Sequence, residues 1–538
     1  MRKRLSEPSL LIMAVIGLIM YLGVAFLSPY LGKGDRVDEE TEAQPAISKQ
    51  QAADAALQFA RSRFQLSTDT ETNTMFQSYT LRSGYLQKEH LYEKYTKQFG
   101  ERFPLDYYEV EINDRSTGLN YFIAVNFTSK QIIGWERNKT ATSKASTVSS
   151  GETDTGKLVA QAMKDMGYAP DDFVKKEDTG STVTPGGLAY ESKTVRLGDA
   201  RLTLVLKLGD GQVTAFRPAF TVPQSFIAWQ AAQDDQATLM TRVSMLLSLF
   251  MGAAAIWIVI RYRREIRFRT GLILTLVFLA VYIANNFNMT PAFRTSHGSG
   301  PTDMNMMIYL WFVNIFVVLM GLSAYFSMIA GQKLWHDQGF PSWPRWREAS
   351  FGAHVKLATA RGYLICLFIL GLQQVLFLAA GEVFDVWAVS DPADSVYNMI
   401  YPGLFPLMAW AAAISEEAIY RFLGIALFWR LTRNRFLAVL LPSIIWAMSH
   451  TQYPIYPVYT RLVEVSVIGL VFGWTLLRYG FLTALFAHAA MDSILMGLSL
   501  MYMGSVQHAI TGAAYLVIPA LIGWLIARFH GYTRAVRE

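Results

Sequence analysis

The sequence contains a single cysteine, Cys366, among 538 residues, and only 17% of its residues are charged. One cysteine cannot form an intrachain disulfide, so no such bond stabilises residues 33–237. The HExxH motif, in which two histidines on one helix face bind zinc, is absent. Basic residues are not interleaved with aromatic residues, so the net charge of +6 does not indicate binding to nucleic acid.

Long apolar runs dominate what is present, since 52% of the residues are hydrophobic. Residues 33–237 have the composition of a soluble region, whereas residues 238–530 consist mainly of apolar runs. We predict about ten membrane spans, near residues 9–30, 240–260, 270–288, 306–330, 360–381, 400–428, 436–450, 462–478, 481–503 and 510–528. The first run lacks a small-residue cleavage site and is predicted to be an uncleaved signal anchor, with a signal peptide as the alternative.

Basic clusters flank alternate spans and predict the orientation of the chain. The N-terminus reads MRKR, residues 261–269 read RYRREIRFR and residues 430–435 read RLTRNR. With ten spans these clusters fall on one side, and the acidic loop 382–394 falls on the other. We therefore expect a multi-pass plasma-membrane protein of bacterial type with both termini in the cytoplasm and residues 33–237 outside it.

The soluble region contains an internal repeat, at about residues 46–140 and 156–222. Each half has a helix pattern followed by a hairpin with a polar turn: 48–63 and 125–137, then 156–167 and 206–218. A Ser/Thr/Gly-rich linker, 142–156, separates them. Each half is predicted to be a helix on a small antiparallel sheet, which resembles PepSY modules. That resemblance implies regulation of a peptidase, and the alternative is a plain binding or spacer domain.

Charged residues inside the predicted spans are costly, roughly 2.5–3.5 kcal/mol each at a span centre, so they usually have a function. The 400–428 span contains Glu416, Glu417 and Arg421. Glu417 and Arg421 are four residues apart and can pair on one helix face. Glu416 is rotated by about 100° from Glu417 on an ideal helix, which leaves it available for another role.

Two histidines add to this set. His450 ends WAMSH, and His488 begins HAAMD, which places Asp492 one turn later on the same face. The alternative interpretation is a structural polar network that fixes the helix register. The Tyr/Pro-rich segment 453–457 is expected to form a cavity wall, with Glu464 as a carboxylate at its rim.

The three motifs EEAIYR, WAMSH and HAAMD, in this order, resemble the CPBP family of intramembrane proteases, which includes type II CAAX prenyl proteases and bacteriocin-processing or immunity proteins. The resemblance covers about residues 360–530. It implies that Glu417 pairs with Arg421 and supports the helix, and that the chain is a glutamic-type peptidase without a covalent intermediate.

The resemblance also implies roles for the remaining residues. Glu416 would activate water, assisted by His450, while His488 and Asp492 would stabilise the oxyanion. Two positions depart from the common pattern: Trp446 stands where phenylalanine is frequent, and Asp492 where asparagine is frequent. An ionised Asp492 would repel an oxyanion, so it is expected either to be protonated or to orient His488.

Zinc is the alternative chemistry, because Glu416, His450, His488 and Asp492 are all zinc-ligand types. We predict no cofactor, and we keep a zinc site on these four residues as the alternative.

The predicted function is therefore an intramembrane endopeptidase acting on a membrane-associated or lipidated protein or peptide, with membrane lipid as its surroundings. A non-catalytic scaffold or immunity protein and a proton-coupled transporter are the alternatives, although the transporter lacks the expected inverted repeat. The predicted domains are an anchor at 1–32, an extracytoplasmic α+β region at 33–237, accessory helices at 238–350, a protease core at 351–530 and a cytoplasmic tail at 531–538.

Overall fold

A computed structural model describes residues 7–27, 44–139, 152–176, 187–209, 211–294, 303–340 and 344–535. The basic N-terminal residues 1–6 and residues 142–151 of the predicted linker lie outside this part of the chain. The remaining linker residues belong to a helix that begins at Glu152.

The N-terminal region after helix α1 (Glu7–Leu27) is built on one eight-stranded antiparallel sheet with the order β1-β2-β3-β4-β8-β7-β6-β5. Its first half comprises α2 (Lys49–Arg63), β1 (Thr70–Ser78), α3 (Thr80–Lys88), α4 (Tyr92–Phe99), β2 (Asp106–Asp114), β3 (Leu119–Val125) and β4 (Ile132–Lys139). Its second half comprises α5 (Glu152–Asp165), β5 (Phe173–Lys176), β6 (Leu188–Leu197), β7 (Ala200–Gly209) and β8 (Gln212–Thr221). Each half is a helix followed by an antiparallel meander, and the halves meet where β4 pairs with β8.

Local sequence explains how α2 forms and where it packs. Ser48 caps its N-terminus in a reciprocal capping box with Gln51. Four alanines recur on one face, and all are buried against the sheet: Ala52, Ala53, Ala56 and Ala60. Small side chains allow the helix to approach the large aromatic residues of the strands, such as Trp135.

A buried ion pair joins the two halves of the sheet. Arg217 of β8 donates to Glu109 of β2 at 2.7 Å, and both side chains are only 1% exposed. Burial lowers the pKa of Arg217, but the attraction of Glu109 outweighs that effect and raises it well above its ordinary value. Removing Arg217 would leave the buried Glu109 without its cation, which typically costs about 3–5 kcal/mol, whereas Arg217 also has Glu136 at 3.8 Å.

The C-terminal region consists of apolar helices: α6 (Gln224–Arg261), α7 (Leu272–Asn288), α8 (Asp303–Asp337), α9 (Phe351–Phe384), α10 (Met408–Glu416), α11 (Ala426–Thr432), α12 (Arg435–Ser449), α13 (Val458–Tyr479), α14 (Phe481–Tyr502), α15 (Val506–Tyr515) and α16 (Ile518–Ala535). Six helices of the described residues are long and apolar enough to cross a membrane, namely α1, α6, α8, α9, α13 and α14. A seventh crossing results if α15 and α16, which are bent by 49°, form one span.

The chain is therefore a polytopic helical membrane protein with an N-terminal soluble sheet region, but the predicted count of about ten spans is not confirmed. Helices α7 and α12 are apolar and shorter than a full span. The predicted span 400–428 is not one α-helix: a 3₁₀ turn at Pro402–Leu407 precedes α10, and a π-helix at Glu417–Ile425 separates α10 from α11.

Two further boundaries differ from the sequence-based expectation. Helix α6 is continuous through residues 237 and 238, where the soluble region was predicted to end. Helix α8 continues to Asp337, seven residues beyond the predicted end of its span at residue 330.

The N-terminal helix α1 packs closely on α9. Gly17 and Gly371 face each other, and a Cβ atom on Gly371 would collide with the carbonyl oxygen of Gly17. Leu10 and Ala14 are buried in the same contact region of the bundle. Lipid tails are as apolar as the side chains of membrane helices, so the hydrophobic effect does not drive these helices together. Close packing through small residues such as glycine is a common way for them to associate.

The soluble sheet region contacts the membrane region through the loop after α9. Asn398 is fully buried and accepts from the backbone N–H of Phe76 at 2.7 Å, while its amide donates back to the Phe76 carbonyl at 2.8 Å. Gln87 donates to the Ala388 carbonyl at 2.7 Å. Ala388 belongs to a short strand, β9 (Trp387–Ala388), that pairs with β10 (Ile455–Tyr456). The sheet region is thus fixed to two loops that meet at one end of the bundle.

Candidate active site

Four structural elements converge on the predicted site. Glu416 ends α10, and Glu417 begins the π-helix that also carries Arg421. His450 is the C-terminal cap of α12. Helix α14 carries the two residues of the third motif, His488 and Asp492. The structure brings these six residues together, although they come from three separate motifs.

Glu416 lies at the centre of the group. Its Oε2 accepts a hydrogen bond from the indole N–H of Trp446 at 2.5 Å. Its Oε1 lies 3.9 Å from Nε2 of His450, and its Oε2 lies 3.8 Å from Nε2 of His488. Both distances are too long for direct hydrogen bonds, and polar groups at such separations are commonly bridged by water.

His450 is oriented by its own helix. Its Nδ1 lies 2.9 Å from the backbone carbonyl oxygen of Trp446. A carbonyl can only accept, so Nδ1 carries the proton and the neutral imidazole directs the lone pair of Nε2 towards Glu416. The ring packs edge-on against Trp446 and stacks on Tyr453.

His488 has a carboxylate on each side. Nδ1 lies 2.9 Å from Oε1 of Glu417, and Nε2 lies 3.4 Å from Oδ2 of Asp492. Both ring nitrogens therefore face acceptors, an arrangement that suits an imidazolium with two donating N–H groups. The ring stacks on Phe472 with centroids 4.7 Å apart, which fixes its plane.

Arg421 supports the group from the buried side. It lies 3.4 Å from Oε1 of Glu417, with the two side chains 1% and 0% exposed. Its guanidinium also lies over the indole ring of Trp446, 3.7 Å from the centroid. Arg421 thus contacts two residues that in turn hold other members of the group. Glu417 contacts His488, and Trp446 binds Glu416.

The site opens into a cavity of about 380 Å³. Its walls include residues of the predicted Tyr/Pro segment, Tyr453 and Pro454, and of the loop that carries Asp391 and Asp394. The cavity therefore lies at the end of the bundle on which the soluble sheet region sits. Glu464 also lines the cavity, but it is only 5% exposed and not at an open rim.

Three residues of this cavity were not predicted as functional. Trp446 was treated as a substitute for phenylalanine, whereas its N–H binds Glu416; the polar indole within WAMSH was the available signal. Arg461 contacts Glu464 at 2.6 Å and Gln373 contacts it at 3.2 Å. These two lie on α13 and α9, outside the three motifs, and no sequence spacing relates them to the site.

The zinc alternative depends on how the four candidate ligands are arranged. Among the residues that the structure describes, no group of three or more His, Cys, Asp or Glu side chains is arranged to hold a metal ion. Both nitrogens of His488 face carboxylate oxygens, so this histidine offers no lone pair in the observed arrangement. The zinc alternative on Glu416, His450, His488 and Asp492 stays a prediction, and it would require His488 to turn one ring nitrogen away from its carboxylate neighbour.

Comparison with known proteins agrees with the motif assignment. Residues 399–494 match the family model of the type II CAAX prenyl endopeptidase, Rce1-like, and this segment contains all six predicted site residues. The sporulation-killing factor biosynthesis protein SkfC of Bacillus subtilis (strain 168) is 30% identical over 81 residues, which cover 15% of this chain and 16% of that protein. No solved structure matches the chain. The predicted resemblance is confirmed: over residues 399–494 this membrane protein is similar to the Rce1-like type II CAAX prenyl endopeptidases.

Proposed function

We propose that this protein is an intramembrane endopeptidase that hydrolyses a peptide bond of a membrane-associated or lipidated protein or peptide. The observation that carries the proposal is the gap around Glu416. Its carboxylate lies 3.9 Å from Nε2 of His450 and 3.8 Å from Nε2 of His488, at the edge of a cavity. A water molecule in this gap would face a carboxylate and an imidazole lone pair, both of which can accept its proton.

The proposed reaction uses water directly. Glu416 accepts a proton from the water, with His450 holding the water through Nε2, and the oxygen attacks the substrate carbonyl carbon. The carbonyl oxygen becomes an oxyanion, to which the charged His488 donates from Nε2, the ring nitrogen that lies 3.4 Å from Asp492 before substrate binds. The tetrahedral intermediate collapses as the C–N bond breaks, and Glu416 returns the proton to the leaving amine. No acyl-enzyme forms, and no metal is used in any step.

The remaining residues act by holding these groups in position. Glu417 fixes His488 through Nδ1, and Arg421 compensates the charge of Glu417 in the dry interior. Asp492, at 3.4 Å from Nε2 of His488, lies close enough to favour the charged imidazole. Of the two roles open to Asp492, this distance supports orientation of His488 over protonation of the aspartate.

The proposed topology has ten crossings, of which the shorter helices α7, α10–α11 and α12 contribute three. The basic segments 261–269 and 430–435 then lie at one end of the bundle, and the acidic 382–394 loop lies at the other. The orientation that places basic segments in the cytoplasm places the catalytic cavity and the soluble region outside. Cleavage would then occur near the outer face of the membrane, on an exported or membrane-tethered peptide.

The soluble region is proposed to regulate access to the cavity, as the PepSY-like pattern of its two halves implies. Its contacts support this role, because Gln87 and Phe76 bind the loop 387–398 that forms part of the cavity wall. A simple spacer domain would not need to contact that wall.

The function is tested by comparing membrane proteomes of cells that carry the wild type and Glu416→Gln. The variant keeps the size of the side chain and an acceptor for Trp446 but removes the base, so an uncut membrane protein should accumulate. Glu93→Gln is the matched control, because Glu93 is exposed and forms an i,i+4 ion pair with its helix neighbour Lys97. Equal amounts of Glu416→Gln protein in the membrane must be verified by immunoblot.

The alternatives predict other outcomes of the same experiment. A non-catalytic scaffold would give identical proteomes and unchanged biology for Glu416→Gln, which would refute the peptidase proposal. A proton-coupled transporter would show proton flux in vesicles that depends on Glu416, without any accumulating precursor.

A further inference from the structure

A second cavity lies at the opposite end of the bundle from the catalytic one. It has a volume of about 900 Å³ and is enclosed by the turn between α6 and α7, the end of α8, the start of α9, and the junction of α13 and α14. All of these elements meet at the end of the bundle that carries the basic segment 261–269. No residue of the proposed catalytic group lines this cavity.

The lining of this cavity is strongly basic. Two carboxylates, Glu265 and Glu348, face five cationic side chains: Arg267, Lys333, Arg345, Arg361 and Arg478. Glu265 pairs with Lys333 at 2.8 Å, and Glu348 lies 3.8 Å from Arg345. The lining residues carry a formal excess of three positive charges, before either of the two histidines is protonated, and Asp337, which binds Lys333 from outside the lining, lowers this excess to two.

A polar group in the cavity also lacks a partner. The hydroxyl of Tyr479 is buried and has no hydrogen-bond partner among the residues that the structure describes. The guanidinium of Arg361 lies over the same ring, 5.3 Å from its centroid. A buried hydroxyl without a partner is unfavourable, so a bound acceptor next to Arg361 would be stabilised by it.

The inner part of the cavity is apolar. Trp335 and Phe340 pack edge to face with centroids 5.4 Å apart, and Phe422 contacts Phe481 at 4.9 Å. All four side chains line the cavity. A small inorganic anion would use only the basic rim, whereas a molecule with a charged head and a hydrocarbon chain would contact both regions.

We propose that this cavity binds the phosphate-bearing headgroup of an anionic membrane phospholipid, with the start of an acyl chain on the apolar floor. Basic pockets between membrane helices at the cytoplasmic side bind anionic headgroups, and each basic residue near such a surface strengthens binding about fivefold. The site is independent of peptide-bond cleavage and is tested by binding alone.

The test uses the purified full-length chain in a non-ionic detergent and a fluorescent short-chain phosphatidylglycerol, with phosphatidylcholine of the same chain length for comparison. Fluorescence anisotropy should show binding of phosphatidylglycerol at least about tenfold tighter than of phosphatidylcholine. Arg361→Gln together with Arg478→Gln should weaken phosphatidylglycerol binding by about thirtyfold, the equivalent of about 2 kcal/mol.

The matched control is Arg263→Gln together with Arg264→Gln. Both arginines are exposed and belong to the same basic segment, but neither lines the cavity. If both double variants lost the same affinity for phosphatidylglycerol, the lipid would be binding to basic residues in general and not to the cavity, which would overturn the proposal. Equal binding of the two lipids would overturn it as well.

Two further measurements distinguish a loss of binding from a loss of folding, and a phospholipid ligand from free phosphate. Arg267→Gln changes an exposed residue of the α6–α7 turn, so it should weaken binding without affecting the thermal unfolding of the chain. Inorganic phosphate should compete only weakly. Displacement of the lipid by phosphate at comparable concentration would show a free-anion site and refute the assignment to a phospholipid.

Discussion

Trp446 connects the supporting residues to the proposed base. Its indole N–H binds Glu416, and its ring lies on the guanidinium of Arg421 and against the imidazole of His450. The carboxylate of Glu416 therefore has one oxygen fixed by the protein and the other facing His450. A carboxylate held in this way loses little freedom when it accepts a proton from bound water.

Trp446→Phe should separate the hydrogen bond from the ring packing. Phenylalanine retains an aromatic face for Arg421 but cannot donate to Glu416. A hydrogen bond to a charged group contributes about 1.5–3 kcal/mol, so kcat should fall about ten- to hundredfold while KM stays close to the wild-type value.

Trp474→Phe, on the far part of α13 against Tyr479, is the control and should leave both constants unchanged. An unaltered kcat in Trp446→Phe would mean that Glu416 needs no donor. A raised KM at constant kcat would place the ring in substrate binding instead.

Asp492 can be tested by its isostere. Asparagine resembles a protonated aspartate, because both are neutral and can donate a hydrogen bond. If Asp492 is ionised and favours the charged form of His488, Asp492→Asn should lower kcat by about tenfold, with Asp492→Ala lower still. Full activity of Asp492→Asn in a peptide-cleavage assay would instead indicate that the aspartate works in its protonated form.

The sequence predicts the candidate site residues but not how they contact each other. Glu416, Glu417, Arg421, His450, His488 and Asp492 are conspicuous because each is ionisable and lies within an apolar run. The contacts of Glu417 with His488 and of Trp446 with Glu416 depend on the relative rotation of three helices. Motif spacing constrains residues on one helix only, so it predicted the Glu417–Arg421 pair and neither of the other two contacts.

At the level of secondary structure, the π-helix is the clearest departure from expectation. An α-helical face was predicted for Glu417 and Arg421, but residues Glu417–Ile425 form i→i+5 turns. Such segments have no distinct residue signature, because tertiary contacts stabilise them. Here Glu417 and Arg421 are both fully buried against their partners, and those partners lie on α12 and α14.

Helices α6 and α8 both extend beyond the apolar runs from which their spans were predicted. Hydropathy shows where a helix enters the membrane, but not where the helix itself starts or ends. Helix α6 begins at Gln224, well before its apolar part, because its first turns pack on the sheet region through Phe226.

The contact between the sheet region and the cavity wall gives the next prediction. Asn398 makes three hydrogen bonds in a buried position, two with Phe76 and one with the Pro392 carbonyl. Asn398→Ala leaves buried backbone groups without partners, which costs about 1–3 kcal/mol. The loop 387–398 should then become accessible to limited proteolysis, and substrate cleavage should change with it.

Gln87→Ala, on the sheet side of the same contact, should act in the same direction through its lost bond to Ala388. The two variants should also be less than additive when combined, because they weaken one interface. If either variant opened the loop without any effect on cleavage, the sheet region would be a spacer and not a regulator.

For the whole molecule, charge is distributed unevenly along the bundle. Asp391 and Asp394 of the 382–394 loop line the candidate active-site cavity, where Arg461 is the one Arg or Lys in the described lining. Basic residues surround the second cavity at the opposite end. Cytoplasmic loops of membrane proteins carry the excess of Lys and Arg, so both cavities imply the same orientation.

Single introduced cysteines can test this orientation directly. Cys366 is the one cysteine of the sequence and is buried, so it adds little background to labelling by a membrane-impermeant maleimide. Asp391→Cys, at the mouth of the catalytic cavity, should react in intact cells, whereas Arg264→Cys should react only after permeabilisation. The reverse pattern would place the catalytic cavity at the cytoplasmic face. It would then favour a cytoplasmic lipidated substrate, and the basic cavity would face outward, where anionic lipid is not the expected ligand.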